Sequence, residues 1–234
     1  MWEKIVAKKT AHLEALSKIS NAIVSDLYLE DILKLIVNVT AQALGSNLCS
    51  LMLLNEKREL VIRATQSVSE PYMKKPPIKL GEGVSGKAAL HNKPIAVYNV
   101  QEEKDYKYKE IAKKEGISSL LCVPLSVKGK TIGVINLYTS EPHKFTKSDI
   151  NVLSSVSAQA ALVIENAELI VRTKVIQEEL ETRKLIEKAK GILMKERSMG
   201  EAEVYRLLQK FSMDHRKSMR QVAEAIILNY DIKK

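Results

Sequence analysis

Cysteine is nearly absent from this sequence. Its two thiols, Cys49 and Cys122, stand far apart in 234 residues and form neither a CxxC pair nor a Cys/His set with metal-ligand spacing. That excludes a disulfide framework and a zinc knuckle, and it leaves both thiols as small buried hydrophobes. Histidine is equally thin: His12, His91, His143 and His215 are scattered and make neither HxH nor HExxH. No hydrolytic metal site and no cofactor are expected. Long apolar runs are missing as well. None nears the roughly 20 residues of a membrane-spanning helix, and residues 1–9 carry charges where a signal peptide places its apolar core. The expectation is a cytoplasmic protein without a membrane partner.

What is present is an ordinary globular balance, with 45% apolar and 28% charged residues. The length suits one large domain with a small appendage. Lysine and arginine number 37 against 28 acidic residues, a net charge of +9, which points to a polyanionic partner. The excess is spread along the chain, so only local patterning can locate a binding face.

Periodicity predicts a helix over 2–27, with Leu13, Leu16, Ser20, Ile23 and Leu27 as its stripe, and a second from Tyr28 to Leu44 closed by Gly45. Short strands follow at 47–54 and 59–65 around the charged turn 55–58. A proline-rich loop then leads into Gly81-Glu82-Gly83-Val84-Ser85-Gly86, which opens a short helix to Asn92, and residues 93–100 read as a strand. Residues 118–127 and 131–138 form the clearest hairpin, turning at Lys128-Gly129-Lys130, with Pro124 demanding an edge or bulge. Thr146 and Asp149 cap a helix expected to run from Ser148 to about Arg197. Within it Leu162, Asn166, Leu169, Thr173, Ile176 and Leu180 trace a coiled-coil seam. The apolar stripe then shifts to Leu185, Ile186, Ala189, Ile192 and Leu193. Two helices complete a terminal bundle: one begins at a capping box of Ser198 and Glu201 and packs Val204, Leu207, Leu208 and Phe211. The other begins at Ser218 and Gln221 and packs Met219, Val222, Ala223, Ile226, Ile227 and Tyr230.

The segment Arg183-Lys184-Leu185-Ile186-Glu187-Lys188-Ala189-Lys190-Gly191-Ile192-Leu193-Met194 resembles the signature of ANTAR domains, and residues 201–208 and 221–227 match in order and spacing. Val204 departs from the family's usual alanine. Gly81–Gly86, Leu121-Cys122-Val123-Pro124-Leu125, residues 132–137 and residues 145–149 resemble a GAF domain. The resemblance implies an α+β fold: a GAF-like antiparallel sheet flanked by helices over 1–165, a coiled-coil linker over 166–181, and a three-helix ANTAR domain over 182–234. It further implies a sensor joined to a reader of hairpin loops in nascent mRNA, acting as a homodimer through the coil. An unnamed small-molecule or protein signal would act at the GAF domain by changing the pairing of the long helix.

Lys184, Lys188, Gly191 and Lys195 fall at i, i+4, i+7 and i+11, one helix face on which a residue without a side chain lets a phosphate backbone approach three cations. Lys190 lies on an adjoining stripe, and Ala189 enters with the signature. Arg216, Lys217 and Arg220 cluster at the turn into the last helix, where a basic groove could close. Tyr205 suits stacking on an unpaired base or packing between helices. The pattern Gly81-x-Gly83-x-x-Gly86 spells a dinucleotide fingerprint, yet it lacks the strand directly before it that such a site needs, so backbone turning is the better account. Asn136, Tyr138, Tyr106 and Tyr108 suit a GAF pocket and equally suit ordinary sheet positions. The competing readings are a helix-turn-helix DNA binder, a GAF sensor without nucleic acid, and a thiol enzyme that two lone cysteines argue against.

Overall fold

The computed structural model describes residues 2–22, 28–46, 48–66 and 69–232. They divide into two compact units, residues 1–168 and 169–234. The first unit is built on a six-stranded antiparallel sheet. Its strands are β1 (Leu48–Leu54), β2 (Glu59–Thr65), β3 (Ile78–Lys79), β4 (Ile95–Val97), β5 (Ser119–Val127) and β6 (Lys130–Thr139), ordered β3-β2-β1-β6-β5-β4. Helices α1 (Trp2–Asn21), α2 (Leu29–Leu44) and the first turns of α6 (Lys147–Arg197) cover one face; α3 (Glu70–Met73), α4 (Gly83–His91) and α5 (Lys109–Lys114) flank the other.

Local chemistry accounts for the boundaries. β5 turns into β6 through Lys128 and Gly129, both at positive φ (50° and 78°), the pair of left-handed residues a two-residue hairpin requires. Pro124 pairs with Val134 on one side only, because β4 ends opposite Cys122, and the ladder slips one residue later at Leu125/Ser126. The missing proline N–H therefore faces no neighbour in this sheet. Asp149 accepts from the Thr146 N–H at 3.0 Å while the Thr146 hydroxyl accepts from the Asp149 N–H at 3.2 Å, a reciprocal cap that starts α6. Gly86 sits where an added Cβ would lie 2.3 Å from the Lys79 carbonyl oxygen, so the glycine-rich segment is a close backbone crossing.

The core lies mainly on the first face, where Leu33, Ile36, Leu51, Leu121, Leu125, Ile135, Leu153 and Ile164 are fully buried. Truncating one such leucine to alanine costs about 2–5 kcal/mol. The stripe of α1 differs from its expected one: Ala15, Ile19 and Ala22 are buried and Leu13 is 68% exposed. Leu13 was placed by counting from a phase that tertiary contacts do not share; Ile23 and Leu27 lie outside the described residues. The expected strand over 93–100 shortens to three residues, and α3, α5 and β3 went unforeseen because none is long enough to repeat its period twice.

The second unit comprises the end of α6, α7 (Glu201–His215) and α8 (Met219–Ile232). Ala189, Ile192, Ala223 and Ile227 form one packed layer, and Leu193, Val204, Leu208 and Val222 another. The Ser218–Gln221 box closes reciprocally at 3.1 and 3.2 Å and starts α8. The expected box at Ser198 does not form. Ser198 has φ +52°, α7 begins at Glu201 behind Gly200, and the Glu201 carboxylate is engaged elsewhere.

Candidate nucleic-acid interface and sensor pocket

In α6 the spacing of Lys184, Lys188, Gly191 and Lys195 brings all four to one exposed face. An added Cβ on Gly191 would meet nothing within 4 Å, so the face is open at its centre. Lys188 has one distant partner, Asp231 at 3.8 Å, with both side chains more than half exposed. Such an exposed pair contributes about 0–1 kcal/mol and yields readily to a competing phosphate.

Two other expected contact residues do not face solvent. Ala189 is wholly buried in the layer it forms with Ala223. Lys190 has a side chain only 8% exposed, its ammonium 3.0 Å from Glu187 and 2.6 Å from Glu201. The hydrogen bonds it donates to Glu201 and then to Glu187 hold its pKa above the ordinary lysine range. The adjoining stripe that holds Lys190 turns toward α7, and its charge is answered by carboxylates instead of being offered to a phosphate.

Tyr205 on α7 is 43% exposed, with the Lys190 ammonium 6.0 Å from its ring centroid. It borders an open groove shared with Arg183, Ile186, Met219 and Arg220. Glu178, Glu179 and Glu187 line the same groove, so it is not the basic groove expected there. Arg220 is committed as well, donating to Glu224 at 2.9 Å and lying 4.0 Å from Glu181. Arg216 and Lys217 are exposed at the α7–α8 turn, where Arg216 takes a left-handed conformation at φ +50°. Gln221 is occupied by its cap, which together with the Arg220–Glu224 pair leaves α8 few groups for reading base edges.

Phe211 is a residue the periodicity misassigned. It was expected in the packed stripe, yet it is 51% exposed and stacks on His215, with centroids 4.0 Å apart and planes at 18°. An aromatic and a histidine spaced i, i+4 just before Arg216-Lys217 were the available signal.

The second face of the sheet in the first unit holds a pocket. Four of the chain's eight tyrosines line it: Tyr72, Tyr106, Tyr108 and Tyr138, with Lys75 and Lys107 as its charged members. The Tyr72 hydroxyl donates to Ser50 at 2.9 Å, and burial pushes its pKa up to about 12. Burial also raises Tyr106 and Tyr138. Lys75 rests its ammonium 3.5 Å from the Tyr72 ring centroid, and burial draws its pKa down to about 8 against the opposing charge of Glu115. Asn136 lies beneath, fully buried, accepting from Ser85 at 3.1 Å, and it does not line the cavity. Cys49 and Cys122 are fully buried, each pushed up to about 12 by burial. Among the described residues no group of three His, Cys, Asp or Glu side chains is placed to hold a metal ion. No helix among them is long and apolar enough to cross a membrane.

Comparison with known proteins divides along the same two units. A GAF domain model matches residues 27–165 and an ANTAR domain model matches residues 174–227. The transcriptional regulatory protein PdtaR of Mycobacterium tuberculosis is 42% identical over 52 residues, 22% of this chain and 25% of that protein. The chain thus spans about a quarter of the length of that relative. The GAF domain of a phosphoenolpyruvate-protein phosphotransferase from Coxiella burnetii superimposes with a TM-score of 0.62 at 24% identity, covering 70% of this chain and 98% of that one. Free methionine-R-sulfoxide reductase from Neisseria meningitidis, solved with its substrate, superimposes at 0.58 with 21% identity, covering 68% and 91%. At those identities the likeness to both structures is one of fold.

Proposed function

Because the chain belongs to the GAF domain family over residues 27–165 and continues into an ANTAR domain over 174–227, we propose that it is a non-enzymatic transcriptional regulator that binds RNA. Its GAF unit receives a signal. Its ANTAR unit holds hairpins in a nascent transcript against an overlapping terminator stem, so that the polymerase continues. The observation that carries this reading is the exposed face of α6, where Lys184, Lys188 and Lys195 surround the open position at Gly191. Three ammonium groups around a gap without a side chain suit a phosphate backbone. Arg216, Lys217 and the exposed rings of Tyr205 and Phe211 supply further cations and stacking surfaces for unpaired loop bases. Duplex RNA hides its base edges in a deep, narrow groove, so loops are the readable part.

The acting species is a homodimer. Leu169, Ile176 and Leu180, all at least half exposed, keep the heptad spacing with Thr173 and supply the apolar seam for a second copy of α6. Two reader units on one coil raise the effective concentration of the second hairpin contact. The buried, high-pKa thiols support a regulator over a thiol enzyme, since neither is a ready nucleophile.

The test is competition between a tandem-hairpin RNA and duplex DNA of equal length at matched salt. RNA is expected to win, and Lys184→Ala with Lys188→Ala to weaken it while flattening the salt dependence by roughly two phosphate contacts. Equal affinity for the duplex, or an unchanged salt slope, overturns the reading.

A further inference from the structure

The signal received by the GAF unit has a chemical class that the pocket itself restricts. We propose that it is a small planar monoanion, a carboxylate of one or two carbons, held between the Lys75 ammonium and the tyrosine hydroxyl cluster. The inference rests on the sensor reading above for its meaning, though the binding it asserts stands apart from RNA.

Size comes first. The cavity is about 30 Å³. At roughly 10–15 Å³ for each water-sized group it admits two or three such groups. A haem or a nucleotide is larger than this cavity, so the space favours a small ligand.

Charge comes second. The two charged residues that line the cavity are both lysines. Lys107 is already answered by Glu82 at 2.6 Å. Lys75 instead lies on the ring faces of Tyr72 and Tyr108, 3.5 and 5.5 Å from their centroids. Glu115 acts on it from outside the lining. An ammonium placed against rings, without a carboxylate in the cavity, is left for a ligand to complete. A cationic ligand would meet two lysines and find the Tyr72 face occupied.

Donors come third. Tyr72 spends its hydrogen on Ser50. The Tyr138 hydroxyl, with a single hydrogen to give, lies in hydrogen-bonding reach of both Tyr72 and Tyr106. Tyr72, Tyr106 and Tyr138 thus gather their hydroxyls into one cluster beside the cavity. A carboxylate placed in the cavity then meets the N–H donors of Lys75 and the hydroxyl cluster to which Tyr106 belongs. It sits between apolar walls from Met52, Ile62 and Ile78. This is the usual composition of a small-ligand site: mostly apolar, with a few converging polar groups.

The experiment titrates the full-length protein with formate and with acetate by calorimetry at constant chloride. Acetamide, the neutral isostere, and methylammonium, the cation, serve as controls. Saturable binding of formate or acetate is expected, with a raised unfolding midpoint and no response to either control. Lys75→Met is expected to lower the affinity at least tenfold. Tyr106→Phe, which removes one oxygen and keeps the ring, is expected to lower it severalfold, and it serves if Lys75→Met fails to fold. Equal binding of acetamide or methylammonium, unchanged affinity in both variants, or no saturable binding overturns the proposal. A carboxylate that binds without altering RNA affinity leaves this assignment standing and removes the sensor's role. RNA binding without carboxylate binding does the reverse.

Discussion

The Lys190 ammonium lies 2.6 Å from the Glu201 carboxylate, tying α6 to the first turn of α7. Glu187 holds the same ammonium from one turn earlier in α6. A lysine of the ANTAR signature thus serves as a strut. Lys190→Ala leaves Glu201 at the α7 N-terminus without its cation and frees that helix to shift. The unfolding midpoint of the reader unit is expected to fall, whereas Lys188→Ala leaves it unchanged. At a temperature where both variants are folded, Lys188→Ala should bind hairpin RNA more weakly than Lys190→Ala. Thermal denaturation by circular dichroism with a filter-binding assay checks both.

Gly191 separates stability from binding. Alanine is favoured over glycine inside a helix by about 0.5–1 kcal/mol, and the position is open to an added Cβ. Gly191→Ala is therefore expected to raise the midpoint while weakening RNA binding, because the backbone of the RNA loses its close approach. A variant that is both more stable and equally tight in binding removes Gly191 from the interface.

Phe211 offers a similar separation at the other end of α7. Its ring is half exposed and stacked on His215, so Phe211→Ala should cost little stability. If the ring carries an unpaired base, the loss in RNA affinity is about 1–3 kcal/mol. Tyr205→Ala tests the second ring by the same readout.

Lys75 gives the sensor unit a pH signature. Its folded pKa is drawn down to about 8 from 10.5 by burial. Between those values the unfolded chain keeps a proton the folded chain has released, so stability rises with pH across that window. The penalty for the charged lysine is in full force below pH 8. The groups around it are Tyr72, Tyr106, Tyr108, Tyr138, Lys107 and Glu115. Burial raises all four tyrosines, Glu82 raises Lys107, and Glu115 opposes the effect of burial on Lys75. Lys75→Met should accordingly be at its most favourable relative to the parent near pH 7 and lose that advantage toward pH 10.5, read by urea unfolding at each pH.

The thiols yield a fifth test. Cys49 and Cys122 are buried and pushed up to about 12, so iodoacetamide should leave the native protein unlabelled at pH 8 and label both after unfolding. Rapid native labelling of either thiol reopens a thiol-based activity.

Much of the fold was legible because it rests on short-range rules. The caps at Thr146–Asp149 and Ser218–Gln221, the closure of α2 at Gly45 and the turn at Lys128-Gly129 are each set by residues within four positions of one another. The stripe of Lys184, Lys188, Gly191 and Lys195 was legible for the same reason, since helical geometry alone aligns it. Leu13, Phe211 and Ser198 were misread because a stripe or a cap has a phase, and the phase is chosen by whatever the helix packs against. Lys190 and Arg220 were misread because their carboxylate partners include groups eleven and thirty-nine positions away, Glu201 and Glu181.

The sequence by itself determined which of the longer segments are helices and strands, where most of those stop, and which cations share one face of α6. Those follow from backbone geometry and nearest-neighbour hydrogen bonding. The tertiary structure alone decided which charges remain available and which aromatics stay exposed. It also gathered Tyr72, Tyr106, Tyr108 and Tyr138 around Lys75, from a short helix, a loop and a strand separated by up to 66 positions. Long-range burial sets the electrostatic environment, and no local pattern encodes it.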